Sequence, residues 1–243
     1  ELLRSLVGSE MCIRDRLNTY RFFSGATELS LSKYDFTINS YTQRPAILEF
    51  WYCLFENSKL IYYKIQHKDF GPRNELEFTV AQRTLLSYND PYFRAALFFV
   101  LTTCSDMGRP SCGNFDKSKL NAIVMNRLKT FKKPDNFQLY HQEKSHLDTF
   151  SGEISSDYVL FPDLIFNYNL FDYGKNSSFD SQIINHSFLR DYLLAERKKT
   201  ILIYNYHSAL LNFFKQFNIT MIDKYGNICH DSTNYEEAIV TNF

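Results

Sequence analysis

The stretch Tyr20–Ser40, YRFFSGATELSLSKYDFTINS, decides the fold. Tyr20-Arg21-Phe22-Phe23 is a short aromatic run that reads as a strand, and Ser24-Gly25 reads as the turn ending it. Thr27–Lys33 fits one helical turn or two, and Asp35–Ile38 reads as a second strand closed by Asn39-Ser40. A strand, a glycine turn and a helix bring backbone close to a ligand and aim helix N–H groups at it. Phe23, Ser24, Gly25, Ala26 and Thr27 are therefore candidate ligand-binding residues. In nucleotide-binding sandwiches the end of the next strand often carries an acid for ribose hydroxyls; here it carries the neutral pair Asn39-Ser40. An ordinary turn explains each feature equally well when taken singly.

The pattern repeats along the chain. Pro45 suits the first turn of a helix, and Ile47, Leu48, Phe50, Trp51, Leu54 and Phe55 give that helix a broad apolar face. Glu75–Leu86 and Tyr92–Thr103 are two further helices, the second apolar nearly all round and so expected to be buried. Cys104–Asp116 is rich in turn residues, and Lys119–Phe131 resumes as an amphipathic helix. Phe137–Tyr140 reads as a strand, and Asp157–Phe161 as another that Pro162 stops. Helix Gln182–Leu194, strand Lys199–Tyr204, helix His207–Phe217, strand Ile219–Tyr225 and strand Glu237–Thr241 follow. Strands alternating with helices predict an α/β three-layer sandwich with a mostly parallel sheet.

Bulk properties narrow the function classes. A chain of 243 residues fits one α/β domain with an inserted subdomain. The 23 Phe and 17 Tyr follow from an AT-rich coding sequence rather than from an aromatic-box function. Formal net charge is zero, so nucleic-acid binding needs a local basic groove. The five cysteines are scattered, without a CxxC pair, which argues against zinc or a disulfide framework and for reduced thiols in a cytoplasmic protein. The histidines lack i, i+4 spacing, so no metal is expected. No apolar run is long enough to span a bilayer, and no Gly-x-Ser-x-Gly or Walker-type loop supports a hydrolase or NTPase. The segment Ser5–Arg16, SLVGSEMCIRDR, resembles a translated sequencing-adapter scar; residues 1–16 are set aside on that reading, which implies a missing native N-terminus.

The order of these features resembles the Dam-like DNA adenine-N6 methyltransferases, a family that uses S-adenosylmethionine (SAM). FFSGATELSL is similar to the family's SAM-binding FxGxG segment. DFTINS followed by RPAILEFWYCLFEN takes the place of its Asn-Asp strand end and helix. RAALFFVLTTCSDMGRPSCGNF looks like its buried helix and Asn-Gly-Arg-rich hairpin. NFQLYHQEKSHLDTF resembles the strand and acidic turn beside the SAM adenine, which puts Asp148 at that turn. SSDYVLFPDLIFNY stands where the family has Asp-Pro-Pro-Tyr, and NYEEAIVTNF resembles the last strand. The resemblance covers nearly all of residues 17–243, in order, with no single motif intact.

The resemblance implies a Rossmann-like SAM-methyltransferase sandwich formed by residues 17–60 and 134–243, with a helical, target-recognition-like insertion over 61–133. It implies Phe23–Thr27, Asn39 and Asp148 in a SAM pocket. In the family an Asp side chain and a backbone carbonyl hold the adenine amine while an aromatic stacks on the flipped base. Asp163, Leu164 and Phe166 keep an acid, a carbonyl and an aromatic at that spacing, without the two prolines that stiffen the turn. Strict spacing from Asp157 instead puts Pro162 where the acid belongs; both registers stand open at the level of sequence. Arg109, Lys132 and Lys133 are candidate contacts to double-stranded DNA, with solvated surface as the commoner explanation for each. A metal-free monomer, serving restriction-modification or regulation, is expected. The competing expectation is a pseudoenzyme kept for DNA or protein binding, favoured by the altered tetrapeptide and the neutral Asn39-Ser40 pair.

Overall fold

The computed structural model describes residues 16–20, 24–34, 36–68, 70–142, 156–166, 185–195 and 198–243. They contain strands β1 (Arg16–Tyr20), β2 (Thr37–Thr42), β3 (Phe137–His141), β4 (Tyr158–Ile165), β5 (Lys199–Asn205), β6 (Asn218–Ile222) and β7 (Glu237–Thr241). The helices are α1 (Ala26–Leu31), α2 (Pro45–Ile65), α3 (Glu75–Thr84), α4 (Pro91–Cys104), α5 (Ala122–Thr130), α6 (His186–Leu194) and α7 (Ser208–Phe213). The chain forms two compact units: the described residues of Glu1–Gln43, Pro134–Tyr168 and Ile184–Phe243 make one, and Arg44–Lys133 the other.

The first unit is α/β. Its seven-stranded sheet runs in the order β3-β2-β1-β4-β5-β7-β6. β1 to β5 are parallel, and β7 runs antiparallel to both β5 and β6. This is a Rossmann-like sheet: chain order reverses between β1 and β4, and open α/β sheets bind ligands in the crevice at such a switch point. Strands covered on both faces read as continuous apolar runs. β5 (KTILIYN) is one such strand, buried from Thr200 to Tyr204.

Successive side chains alternate between faces, and the register lines up matching residues across the sheet. On one face Tyr140, Tyr41, Tyr20 and Phe161 stack in a row, with ring centroids 5.4, 5.1 and 5.6 Å apart. The face continues through Leu202 and Val240. Leu189, Tyr192 and Leu193 of α6, Leu210 of α7 and Phe214 just beyond it pack into the same core. On the opposite face Thr19 Oγ1 donates to Ser40 Oγ at 2.8 Å, and α1 lies on that side through Glu28. Helices on both faces make the three layers.

The second unit is helical. Pro45 opens α2 as expected, and the helix breaks at Asn57, whose side chain then accepts from Leu60 N at 3.0 Å. α4 is buried along most of its length, and Phe98 stacks on Phe50 of α2 at 4.8 Å. Arg94 of α4 forms an ion pair with Glu49 of α2. Past the break, Ser58 donates to Phe131 O and Phe55 stacks on the Phe131 ring at 6.2 Å. Both halves of α2 thus pack inside this unit. It begins at Arg44, not near residue 61 as the sequence reading had it.

Three strand boundaries differ from the sequence expectation. β1 starts at Arg16, four residues before the aromatic run, and ends on its first residue, Tyr20; residues 21–23 lie outside the described residues. β2 continues past Asn39-Ser40 to Thr42, because Ile38, Ser40 and Thr42 alternate inward and keep pairing with β3. β4 runs through Pro162 to Ile165.

Candidate active site at the carboxyl edge of β1 and β4

After β1 the chain turns at Ser24-Gly25. Gly25 takes φ 68° as the residue before α1, a left-handed conformation that a Cβ would oppose. Ser24 Oγ accepts from Ala26 N at 3.3 Å and donates to Asp163 Oδ2 at 2.9 Å. The hydroxyl thereby ties the turn after β1 to β4, across the switch point.

Asp163 is presented by a bulge. Register runs from Phe161 opposite Leu202 to Leu164 opposite Tyr204, so β4 carries one extra residue there. Proline has no N–H to give a ladder, which suits Pro162 to such a place. Asp163 has φ 53° and is the one non-glycine residue with positive φ among those described. Asp tolerates that region better than most residues, at a cost of about 1–2 kcal/mol. Strained backbone of this kind concentrates at functional sites.

Two more carboxylates stand near it. Glu28, on the inner side of α1, is fully buried, and neither carboxylate oxygen has a hydrogen-bond partner. Burial pushes its carboxyl up to about 7, and the charge of Asp163 adds to this. Glu237, at the start of β7 opposite Asn205, is also raised, by partial burial first and by Asp163 second. The arrangement is an acidic corner beside a glycine turn, suited to a positively charged or amine-bearing ligand.

The sequence-predicted residues fall into three groups. Ser24, Gly25, Ala26, Thr27 and Asp163 come together at this corner, with Ala26 and Thr27 in the first turn of α1. Asn39 does not reach it: β2 runs three residues further, and the Asn39 side chain donates to Asn18 Oδ1 at 3.2 Å within the sheet. The side chains of Leu164 and Phe166 do not face it either. Leu164 is a fully buried residue of the β4–β5 ladder. The Phe166 ring lies in the core, 4.8 Å from the ring of His186 and 5.3 Å from that of Phe213. Of the two registers, the one based on Asp163 supplies the carboxylate, since Pro162 is buried in the strand. Phe23 and Asp148 lie outside the described residues. Glu28 was missed; its signal is that Glu28 and Leu31, three apart on a short helix, share the inward face.

The candidate DNA contacts are all on the helical unit. Arg109 is half-buried, next to Gly108 in the loop that Ser105 and Phe115 close by an antiparallel bridge. Lys132 is exposed, and Lys133 Nζ sits over the Phe55 ring at 5.4 Å. Lys129 Nζ sits over Tyr62 in the same way, at 5.2 Å. Among the described residues no group of His, Cys, Asp and Glu is placed to hold a metal ion, and no helix is long and apolar enough to cross a membrane. The chain matches no protein-family model and no curated protein.

Proposed function

We propose that the chain is a SAM-dependent DNA adenine-N6 methyltransferase of the Dam-like type, with its reaction centre at the Ser24–Asp163 bridge. The observation that carries this reading is the 2.9 Å hydrogen bond joining the glycine turn after β1 to the β4 acid. The family resemblance calls for those two segments to meet, although 139 positions separate them in sequence. The sheet supports it as well. A reversed β7 between β5 and β6 is the feature that a methyltransferase-type sandwich adds to the plain doubly wound order, and the helical unit falls between β2 and β3. The acidic corner suits SAM, which is a cation.

In this reading SAM supplies an electrophilic methyl group, whose bonding electrons stay on sulfur when it leaves. Asp163 accepts a hydrogen bond from the exocyclic amine of a flipped adenine and aligns the nitrogen lone pair on that methyl. It then takes the proton the amine sheds. Ser24 holds the Asp163 carboxylate in place, and Gly25 leaves room for close backbone approach. Arg109, Lys132 and Lys133 hold phosphates of double-stranded DNA, in a cytoplasmic setting.

Titration calorimetry with SAM, followed by transfer of labelled methyl to adenine in unmethylated duplex DNA, tests the reading. Binding, and transfer abolished in Asp163→Ala, support it. Absence of binding at millimolar SAM overturns it. One observation favours a second reading, a SAM- and DNA-binding protein without catalysis: Phe166, the expected base-stacking residue, is buried in the core. Binding without transfer is the outcome that selects it.

A further inference from the structure

We infer that an aromatic-walled pocket within the helical unit takes one unpaired nucleobase of a DNA whose phosphates lie along Lys129 and Lys133. This rests on the DNA contacts of the reading above and adds to them a base site that needs neither SAM nor methyl transfer.

The pocket is a cavity of about 390 Å³ lined by Leu60, Tyr63, Lys64, His67, Phe70 and Phe93. That volume lies at the small end of the range of about 300–1,000 Å³ that small-molecule sites occupy. Leu60, Tyr63, Lys64 and His67 follow i, i+3, i+4, i+7 spacing, so they share one face of the second half of α2 and the turn beyond it. His67 O accepts from Phe70 N at 3.0 Å, and the turn so closed sets the Phe70 ring edge-on to Phe93, with centroids 5.1 Å apart. Phe93 stands in the first turn of α4. Asp90, which caps α4, pairs with Lys64 Nζ at 2.6 Å and ties the two helices together at the rim. Tyr63 is 59% exposed and Leu60 37%, so apolar surface stands in water beside a cavity built on packed helices.

Two features point to a nucleobase as the occupant. The first is the lining: aromatic walls take the faces of a flat ring, while the Lys64 ammonium and the His67 imidazole bring hydrogen-bonding groups for its polar edge. The second is the charge alongside. Tyr63, a wall of the pocket, meets Tyr62 edge-on at 5.4 Å, and Lys129 Nζ sits over the Tyr62 ring at 5.2 Å. Lys133 Nζ sits over Phe55 at 5.4 Å, and Phe55 and Tyr62 are at i, i+7 on α2. Ring faces thus anchor a lane of ammonium groups that leads to the pocket wall. A base carried on a phosphodiester strand brings both the flat ring and the negative charge that this surface matches. A base inside a duplex keeps its faces stacked, so only an unpaired one can enter.

The test is fluorescence anisotropy of the full chain, without SAM and at one fixed salt concentration, with three duplexes of the same sequence. One is fully paired, one carries a single bulged thymidine, and one carries an abasic residue at the bulge. The expected result is that the bulged thymidine binds about tenfold more tightly than either of the others, as one base stacked on aromatic side chains allows. Tyr63→Ala, at an exposed position where folding is not at stake, removes that advantage and leaves the fully paired and abasic duplexes unchanged. Tyr63→Phe keeps the advantage. Lys133→Gln weakens all three alike. Equal binding of the thymidine and abasic bulges, or an equal effect of Tyr63→Ala on all three duplexes, overturns the inference while leaving the methyltransferase reading intact. Absence of binding by all three overturns the inference together with the DNA contacts on which it rests.

Discussion

Asp163 and Phe166 stand three residues apart on one strand and face opposite environments, the first hydrogen-bonded to the Ser24 turn and the second packed against His186 in the core. The cause is that β4 continues through Ile165. Strand side chains alternate, so once the bulge has set Asp163 outward, the pleat carries Phe166 away from the crevice. A stiff Asp-Pro-Pro turn would have ended the strand and kept acid and aromatic together.

That geometry makes Phe166 a core residue. Phe166→Ala should cost about 3–5 kcal/mol of stability, as removal of a buried aromatic does. Urea denaturation followed by circular dichroism reads this directly. A loss below about 1 kcal/mol would mean that the ring is not held in the core as described.

Asp163 carries backbone strain that glycine would relieve. Asp163→Gly should unfold no more easily than the parent and gain up to about 1 kcal/mol, while Asp163→Ala should lose about that amount at the same φ of 53°. Both variants lack the carboxylate and should lack methyl transfer. A destabilised glycine variant would show that the hydrogen bond from Ser24 outweighs the strain.

Glu28 makes stability depend on pH. Its folded-state value, about 7, lies above the ordinary 4.5, so the folded chain binds the proton more tightly than the unfolded chain does. Stability should therefore decline as pH rises from about 4.5 to 7 and level off above, by up to roughly 3 kcal/mol from this group. Glu28→Gln cannot ionise; it should remove that part of the decline and melt higher than the parent at pH 8. Parallel melting curves for the two proteins across this range would contradict the assignment of Glu28 as buried and unpartnered.

The lysines held over aromatic rings give a salt-dependent signature. Replacing Lys129 and Lys133 by Gln should weaken duplex DNA binding evenly across sequences and reduce the slope of log affinity against log salt by about 2. Fluorescence anisotropy with two unrelated duplexes measures it. An unchanged slope would remove this face of α2 and α5 from the DNA contact.

The alternation of strands and helices was legible because most elements carry their own period: β7 falls at Glu237–Thr241, as its pattern predicts, and Pro45 opens α2. What misled was local chemistry overridden by pairing. Asn39-Ser40 reads as a turn, yet β2 continues because β1 and β3 flank it on both sides. Pro162 reads as a stop, yet a bulge absorbs it. The meeting of Ser24 with Asp163 was legible from the order of segments, since a parallel sheet delivers strand ends to one edge. The third carboxylate was not, because burial of Glu28 depends on which face of a six-residue helix turns inward.

The most direct test of the account is a crystal structure of the chain grown with millimolar SAM. The account predicts SAM at the carboxyl ends of β1 and β4, its methylsulfonium between the Ser24-Gly25 turn and the Asp163 carboxylate. SAM bound at any other edge of the sheet, or a crevice without SAM at that concentration, would contradict it.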